Sequence, residues 1–530
     1  MAKALGVIAG IMSLCLGLET ARAELMVLRR GNLTEAETID PLLATTAPEN
    51  NIVGDMFLGL TTEDINSHVI PGAAESWTTS ADGLVWTFKL RDNLKWSDGT
   101  PLKAADFVFS FRHLLDPKTA ARYASIEYVI KNAEAVNTGK LPPEQLGVRA
   151  PDDRTVEITV ESPTPFLAGL MKHYTAFPIP EHVYKKYGET WTRPGNMVSN
   201  GAYMLAEWSP HDHIKLVKNP HFYDAPNVRI DEVYFYPVES EATALTMYRA
   251  GDIDGNFGTR GIPVAQLPML QKTLGSQVHV APILANSYMA LNTRRAPFND
   301  KRVRRAVSLC IDRVILADKV VKDQRVPAYA FVPPGIANYH NTARNNFADW
   351  PMEQRRAEAR RLLAEAGYTP KKPLTFEYLY NASVDQRRAT VAEAALLKEC
   401  GVIMQPIVNE LKIHYSRMQN DDFTAGWAGW IGDYNDPQNF LYLMDSRSGV
   451  FNYGAYNNPS FDRLLDEAKV TIDLEVRAGI LAKAEQLALD DDAVVPLDFS
   501  TAKELVSPAI KGFADNIESI HRTRWMWLER

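Results

Sequence analysis

Residues 82–117 read DGLVWTFKLRDNLKWSDGTPLKAADFVFSFRHLLDP, and this stretch says more about the fold than any other part of the chain. Asp82-Gly83 and Asp98-Gly99 are dipeptides typical of turns. Between them, hydrophobic and polar residues alternate over residues 84–91, which is the period of a half-buried strand. A second strand is predicted to begin at Leu94, so the two would form a hairpin.

The spacing changes after Pro101. Phe107, Phe111 and Leu114 follow the i, i+4, i+7 pattern of an amphipathic helix. The hairpin is therefore predicted to lead into a helix.

The rest of the chain alternates between strand-like and helix-like segments. Predicted strands are Thr155–Val160, Ile214–Val217, Val233–Tyr236, Leu374–Tyr380 and Ile403–Val408. Predicted helices are Glu353–Ala366, Phe461–Ala468 and Val476–Leu489. This order indicates an α/β protein with α+β portions, and 530 residues are enough for about three lobes.

Composition narrows the class of protein. Hydrophobic residues make up 46% and charged residues 23%, as in ordinary globular proteins. The net charge is −8 and the chain has no basic run, which argues against a nucleic acid partner.

The N-terminus has the pattern of a secretory signal peptide. Lys3 precedes an apolar stretch of 14 residues, Leu5–Leu18, and Ala21-Arg22-Ala23 is an A-x-A cleavage site. A membrane span would need about 17–25 apolar residues. We therefore expect cleavage after Ala23. Bulky Leu14 before Cys15 argues against a lipid anchor, so the mature protein is expected to be free in the periplasm.

Two cysteines remain in the mature chain. Cys310 lies in the apolar run Val307–Ile311, and Cys400 closes the helix-like run Val391–Glu399. An oxidising compartment would allow them to pair. Their apolar surroundings favour the other interpretation, buried free thiols.

Signatures of catalysis and of metal binding are weak. The chain lacks a G-x-S-x-G elbow, an H-E-x-x-H motif, a phosphate-binding P-loop and a C-x-x-C pair. His211 and His213 could form half of a metal site, but their polar surroundings favour a hairpin turn. We expect neither an enzyme, nor a metal site, nor a cofactor.

Residues 423–441, FTAGWAGWIGDYNDPQNFL, are the best candidate for a binding site. Glycine weakens a strand unless something must approach its backbone closely, so a strand edge at Gly429 could pair with an extended peptide. Trp427 and Trp430 would supply apolar walls. Asp433 could then hold a cationic amine. Composition alone supports a buried strand with packed tryptophans equally well.

The chain resembles the oligopeptide-binding proteins of ABC uptake systems, the solute-binding proteins of family 5. The likeness includes residues 82–117 and runs nearly end to end. Further matching blocks are residues 39–41, 199–203, 218–220, 248–254, 297–304, 364–368 and 428–437.

The resemblance implies a two-lobed α/β periplasmic binding protein fold, the large form of type II, with an extra domain on the first lobe. Residues 1–23 are the predicted signal peptide. Lobe I would comprise residues 24–70, 190–295 and 500–530, the extra domain residues 71–189, and lobe II residues 296–499. Ligand would be enclosed between the lobes, and a monomer would deliver it to permease subunits at the inner membrane.

The resemblance also implies roles for single residues. Asp433 matches an aspartate that binds the free α-amino group of a short peptide, and Gly429 and Trp430 match the strand that pairs with the peptide backbone. Further residues expected to line the cleft are Trp427, Asn381, Tyr288, Phe257, Phe499 and Arg417.

Some positions depart from the family pattern. Leu58 replaces an acidic residue, and Met418 and Trp427 replace arginines that receive the peptide carboxylate. Ala285 and Ile431 replace two cysteines that some relatives pair. The amine end of the site is therefore expected to be intact and the carboxylate end altered.

Two other functions compete with an oligopeptide receptor. A receptor of the same fold could bind a dipeptide, a modified peptide, a nickel chelate, haem or a sugar; Asp433 favours an amine-bearing ligand over a sugar. A secreted hydrolase is the second alternative, which the missing catalytic motifs disfavour.

Overall fold

The computed structural model describes residues 25–258 and 261–529. The predicted signal peptide, residues 1–23, and its cleavage site lie outside the described residues. None of the helices in the described ranges is both long and apolar enough to cross a membrane.

The described residues form these elements. The strands are β1 Val27–Gly31, β2 Thr61–Glu63, β3 Val69–Pro71, β4 Ala74–Thr79, β5 Val85–Leu90, β6 Val148–Asp152, β7 Thr155–Thr159, β8 Tyr203–Ser209, β9 His213–Lys218, β10 Glu232–Tyr236, β11 Gly255–Asn256, β12 Val278–Leu291, β13 Val326–Pro327, β14 Leu374–Asn381, β15 Val402–Asn409, β16 Ala425–Ile431, β17 Val494–Val506, β18 Ile510–Lys511 and β19 Trp527–Leu528. The helices are α1 Ala47–Met56, α2 Ala104–Leu115, α3 Ala133–Asn137, α4 Leu167–Leu170, α5 Glu181–Tyr187, α6 Glu241–Ala250, α7 Leu267–Leu274, α8 Lys301–Cys310, α9 Arg313–Ile315, α10 Met352–Glu365, α11 Val384–Glu399, α12 Leu411–Gln419, α13 Gln438–Leu441, α14 Pro459–Val470 and α15 Leu474–Asp490.

The signature stretch forms a strand and a helix, as predicted. Strand β5 alternates buried and half-buried residues, and Trp86, Phe88 and Leu90 face the core. The predicted hairpin is wrong: Lys95 makes only an isolated bridge to Pro101, and β5 pairs instead with β4 and β7 in a four-stranded sheet. Both sides of β5 are taken by β4 and β7, and the segment after β5 folds back on itself: the Trp96 N–H donates to the Thr100 carbonyl at 2.9 Å and the Leu102 N–H to the Leu94 carbonyl at 3.0 Å.

Helix α2 packs its predicted apolar face inward, since Phe107, Phe111 and Leu114 are all buried. The Asp106 carboxylate accepts the Lys103 N–H at 2.8 Å at the start of the helix. An acidic side chain is favourable there because the first N–H groups of a helix lack internal partners.

The largest sheet of the described residues has eleven strands, in the order β15-β14-β16-β12-β17-β11-β1-β10-β9-β8, with β13 on β17. Strands β12 and β17 are the longest and pair with each other along nearly their full length. Their register shifts between Pro282 and Asn286 and again between Ser287 and Tyr288.

These two long strands join two separate hydrophobic regions. The first residues of β12, Val278 and Val280, pack with Leu245 and Leu505 on the side of lobe I. Further along β12, Tyr288 and Ala290 pack in a core with residues of lobe II. Lobe I and the extra domain share another core, which includes Phe88. The exact boundaries of the lobes stay a prediction.

Cys310 and Cys400 form a disulfide bond. The expectation of buried free thiols is therefore wrong, although both residues are buried as expected. Cys310 ends α8 and Cys400 follows α11, and the two helices pack side by side in the core of lobe II. Ninety residues separate the two cysteines, so their proximity arises only from this packing.

Candidate functional site

Strand β16 has one edge that is only partly paired. It is antiparallel to β12 along its whole length, from Ala425 opposite Leu291 to Ile431 opposite Ala285. On its other side, β14 pairs only with Ala425 and Gly426. The edge from Trp427 to Ile431 on the side away from β12 therefore has no strand partner among the described residues, and it is called the free edge of β16 below.

The backbone groups on this edge can be assigned from one contact. His414 of α12 donates its Nε2–H to the Trp427 carbonyl at 2.8 Å, so that carbonyl points away from β12. Burial lowers the pKa of His414, which favours the neutral ring. Alternate residues of a strand direct their backbone groups to the same side, so Gly429 and Ile431 also present theirs to this edge.

A side chain at Gly429 would crowd the strand. A Cβ atom there would lie 3.1 Å from the Asn286 carbonyl oxygen and 3.3 Å from the Trp427 ring. A larger residue would force the Asn286 carbonyl or the Trp427 ring to shift, so glycine suits this position; its role in pairing with a peptide stays a prediction.

The chain turns directly after β16, and Asn439 fixes the turn. Its Oδ1 atom accepts the Trp430 Nε1–H at 2.9 Å and the Asp433 backbone N–H at 3.0 Å. Asn439 is buried. One side chain thus sets the position of both Trp430 and Asp433.

The Asp433 carboxylate stands at the end of the free edge. The Tyr123 hydroxyl of the extra domain donates to its Oδ1 atom at 2.9 Å. Burial raises the pKa of Asp433 above its ordinary value, and hydrogen bonds from Tyr123 and Asn439 oppose that effect. A cation beside Asp433 would offset the cost of burying the charged carboxylate.

Asp433 opens into a cavity of about 790 Å³ between the extra domain and lobe II. Three aromatic rings in the wall of this cavity contact one another. The Trp430 ring centroid lies 5.8 Å from that of Tyr442 and 6.0 Å from that of Phe451, and the latter two are 5.8 Å apart. These rings give the cavity an apolar wall next to the carboxylate.

Arg447 also lines the cavity. Its guanidinium contacts the carboxylates of Asp445 and Asp466, each at 2.8 Å. Because two aspartates surround one arginine, this part of the wall carries no excess positive charge for a peptide carboxylate.

Two of the residues predicted to bind ligand, Trp430 and Asp433, line this cavity, and Gly429 lies on the adjoining edge. Trp427 is half-buried and packs against the core beside Met289. Arg417 is held away by Asp422 at 2.8 Å and by Asn409 at 3.3 Å.

The other four predicted residues are buried elsewhere. Tyr288 stacks edge-on against Phe331, with centroids 5.0 Å apart. Asn381 ends β14, where its Oδ1 atom accepts the Ser383 N–H at 3.0 Å. Phe499 pairs with Val326 and Asn286 within the sheet. Phe257 lies 4.3 Å from the Arg30 guanidinium in the core of lobe I. Their roles in binding stay predictions.

Sequence reasoning missed Tyr123 and Asn439. Tyr123 lies 310 residues before Asp433 in a stretch without a motif. Asn439 lies six residues after Asp433, at the start of α13, and its only sequence signal is the turn-forming stretch that precedes it.

Comparison with known families identifies the class of protein. The bacterial extracellular solute-binding proteins, family 5 (middle region), match residues 68–452. The chain belongs to this family.

Relatives in family 5 resemble the chain along nearly its whole length. The periplasmic oligopeptide-binding protein OppA of Salmonella typhimurium is 38% identical over 504 residues, which are 94% of this chain and 92% of OppA. The unliganded open form of the periplasmic murein tripeptide-binding protein MppA has a TM-score of 0.87 and 34% identity, and the match covers 96% of this chain and 98% of MppA. The two-lobed fold predicted from the sequence is thereby confirmed.

A peptide complex from the family superposes less well. Haemophilus influenzae OppA in complex with the peptide RPPGFSPFR has a TM-score of 0.75 at 33% identity, and the match covers 95% of this chain and 99% of OppA. Identity and coverage are nearly equal in the two comparisons, so the chain superposes better on the unliganded open form of MppA than on this peptide complex of OppA.

Proposed function

We propose that this protein captures short peptides with a free amino terminus in the periplasm and delivers them to an ABC transporter permease. The free edge of β16 that ends at Asp433 supports this proposal most directly. A peptide running antiparallel to β16 would place its first nitrogen near the Ile431 carbonyl and the Asp433 carboxylate. Its backbone would then pair at Gly429, whatever its sequence.

The relatives support the same class of ligand. Proteins named for oligopeptide and murein peptide binding are 38% and 35% identical to this chain over more than 90% of its length. We further propose that the mature protein is a monomer that begins at Glu24, carries no lipid anchor and acts as a receptor without catalysing a reaction.

Calorimetry with one peptide in free and N-acetylated forms tests the amine anchor. Acetylation removes the ammonium, and Asp433→Asn removes the carboxylate while keeping its shape. Each change alone should weaken binding by about 2–5 kcal/mol, because each leaves one buried charge without its partner. Together they should cost less than the sum, since no lone charge remains.

Asp445→Asn is the matched control, because Asp445 lines the same cavity but pairs with Arg447. This variant should still prefer the free peptide. Equal binding of the two peptides by the wild type would show that Asp433 is only a turn residue. Native mass spectrometry of freshly purified protein would identify co-purified ligands, and a haem or a metal chelate would contradict the proposal.

A further inference from the structure

The turn that carries Asp433, residues 432–437, has no regular secondary structure, so its position depends on side-chain anchors. The Asn435 Oδ1 atom accepts the Ala337 N–H at 2.8 Å. Asp436 forms a fully buried ion pair with Arg477 through two contacts of 2.7 and 2.8 Å. Both of these anchors lie within lobe II.

Tyr434, the residue after Asp433, is anchored from the other domain. Its ring lies 4.8 Å from that of Phe166 with an angle of 5° between the planes, so the two rings are stacked. Both rings pack against the core that the extra domain shares with lobe I. A side chain of lobe II therefore packs against the core of the neighbouring domain.

Phe166 also contacts a second anchor of the same turn. The Arg477 guanidinium, which holds Asp436, lies 5.7 Å from the centroid of the Phe166 ring. Phe166 itself directly precedes α4, and the Thr61 hydroxyl fixes that helix by donating to the Ala168 carbonyl at 2.6 Å. One ring of the extra domain therefore touches two of the groups that position Asp433.

We infer that Phe166 is a positioning residue for the amine anchor. It holds the turn in place before ligand arrives, so that an incoming ammonium meets a preformed carboxylate. Without the ring, the turn must be ordered at the moment of binding, and that ordering lowers affinity. The inference rests on the proposed amine-binding role of Asp433.

The test compares a free peptide with its N-acetylated form by calorimetry on the wild type, Phe166→Ala and Phe166→Tyr. Tyr434→Leu removes the stack from the other side and replaces Phe166→Ala if that variant does not fold. Ile472→Ala is the matched control. Ile472 of lobe II also lies next to the extra domain, at Gly83 and Pro163. A Cβ atom added to Gly83 would lie 3.2 Å from the Ile472 Cδ1 atom. Ile472 does not touch the turn that carries Asp433.

Phe166→Ala should weaken binding of the free peptide about tenfold and change binding of the acetylated peptide by less than twofold. Phe166→Tyr keeps the ring, and Ile472→Ala leaves the turn untouched. Both variants should therefore prefer the free peptide over the acetylated peptide as strongly as the wild type does. A preference left unchanged by Phe166→Ala, an equal loss for both peptides, or a gain in affinity would overturn the inference.

Failure of the proposed function gives a different result. If the wild type binds neither peptide, the peptide-receptor function itself is wrong. If it binds both equally, the amine anchor is wrong and this inference falls with it. In either case the defect appears in the wild type and not only in the Phe166 variants.

Discussion

At the scale of single residues, the site combines a carboxylate that is costly to bury with side chains that hold it in place. Burial raises the pKa of Asp433, while an ammonium placed beside it would lower that pKa again. Binding of an amine must therefore release the proton that Asp433 carries at low pH.

This linkage predicts how affinity depends on pH. Affinity for a free peptide should be full above the pKa of unliganded Asp433 and should fall about tenfold per pH unit below it. Tyr123 contributes no charge in this range because burial and Asp433 raise its pKa. Calorimetry between pH 4 and 7 measures the slope. The acetylated peptide and Asp433→Asn should show no such slope, and an equal slope for both peptides would contradict the assignment.

Asn439 offers a second prediction at this scale. Asn439→Ala leaves the Trp430 Nε1–H and the Asp433 backbone N–H without their acceptor. The free energy of unfolding should fall by about 1–3 kcal/mol, the usual cost of an unsatisfied buried group. Peptide affinity should fall too, because both residues lose their fixed positions.

Chemical denaturation and calorimetry measure the two effects of Asn439→Ala. Asn292→Ala is the control, since Asn292 is equally buried but bonds to Asp421 and the Phe423 carbonyl. The control should lose stability and keep its affinity. Full affinity in Asn439→Ala would show that Asn439 only supports the fold.

At the scale of elements, the strands and helices that follow from the periodicity of apolar residues could be predicted from the sequence. The strand pairing that depends on packing with distant parts of the chain could not. The strand at residues 374–380 and the helix at residues 353–366 are present within one residue at each end, because their apolar patterns are strong. The second strand of the hairpin at Leu94 is absent, since strand pairing depends on distant partners such as β7.

The same limit applies to the candidate site. Gly429, Trp430 and Asp433 form one local motif and could be found from the sequence. Tyr123 and Phe166 belong to another domain, and no local pattern records which residue they meet. Likewise, the burial of Cys310 could be predicted from its apolar neighbours, whereas its bond to Cys400 could not.

The disulfide bond leads to a prediction for lobe II. Replacing Cys310 and Cys400 together by alanine should lower the free energy of unfolding by about 2–4 kcal/mol, because the bond limits the unfolded chain. Peptide affinity should change by less than twofold, since neither residue lines the cavity. Thiol titration in denaturant without reductant should find no free thiol in the mature protein. Two reactive thiols would contradict the bond.

At the scale of the whole molecule, β12 packs in two separate cores along its length, so we expect the hinge between the lobes to lie in β12 and β17. Their register shifts near Pro282 and Asn286, so the ladder is already irregular where the two cores separate. Irregular pairing of this kind allows bending at a lower cost than in a continuous ladder.

This arrangement predicts closure on binding. A peptide held at Asp433 and along β16 gains contacts with lobe I only if the lobes approach, so we expect binding to favour a closed arrangement of the lobes. Small-angle X-ray scattering should therefore give a smaller radius of gyration at saturating peptide. Asp433→Asn should need a higher concentration of the free peptide to reach the same value, because the mutation weakens binding and leaves the hinge unchanged. An unchanged scattering profile at saturation, confirmed by calorimetry on the same sample, would mean that the ligand binds without closing the lobes.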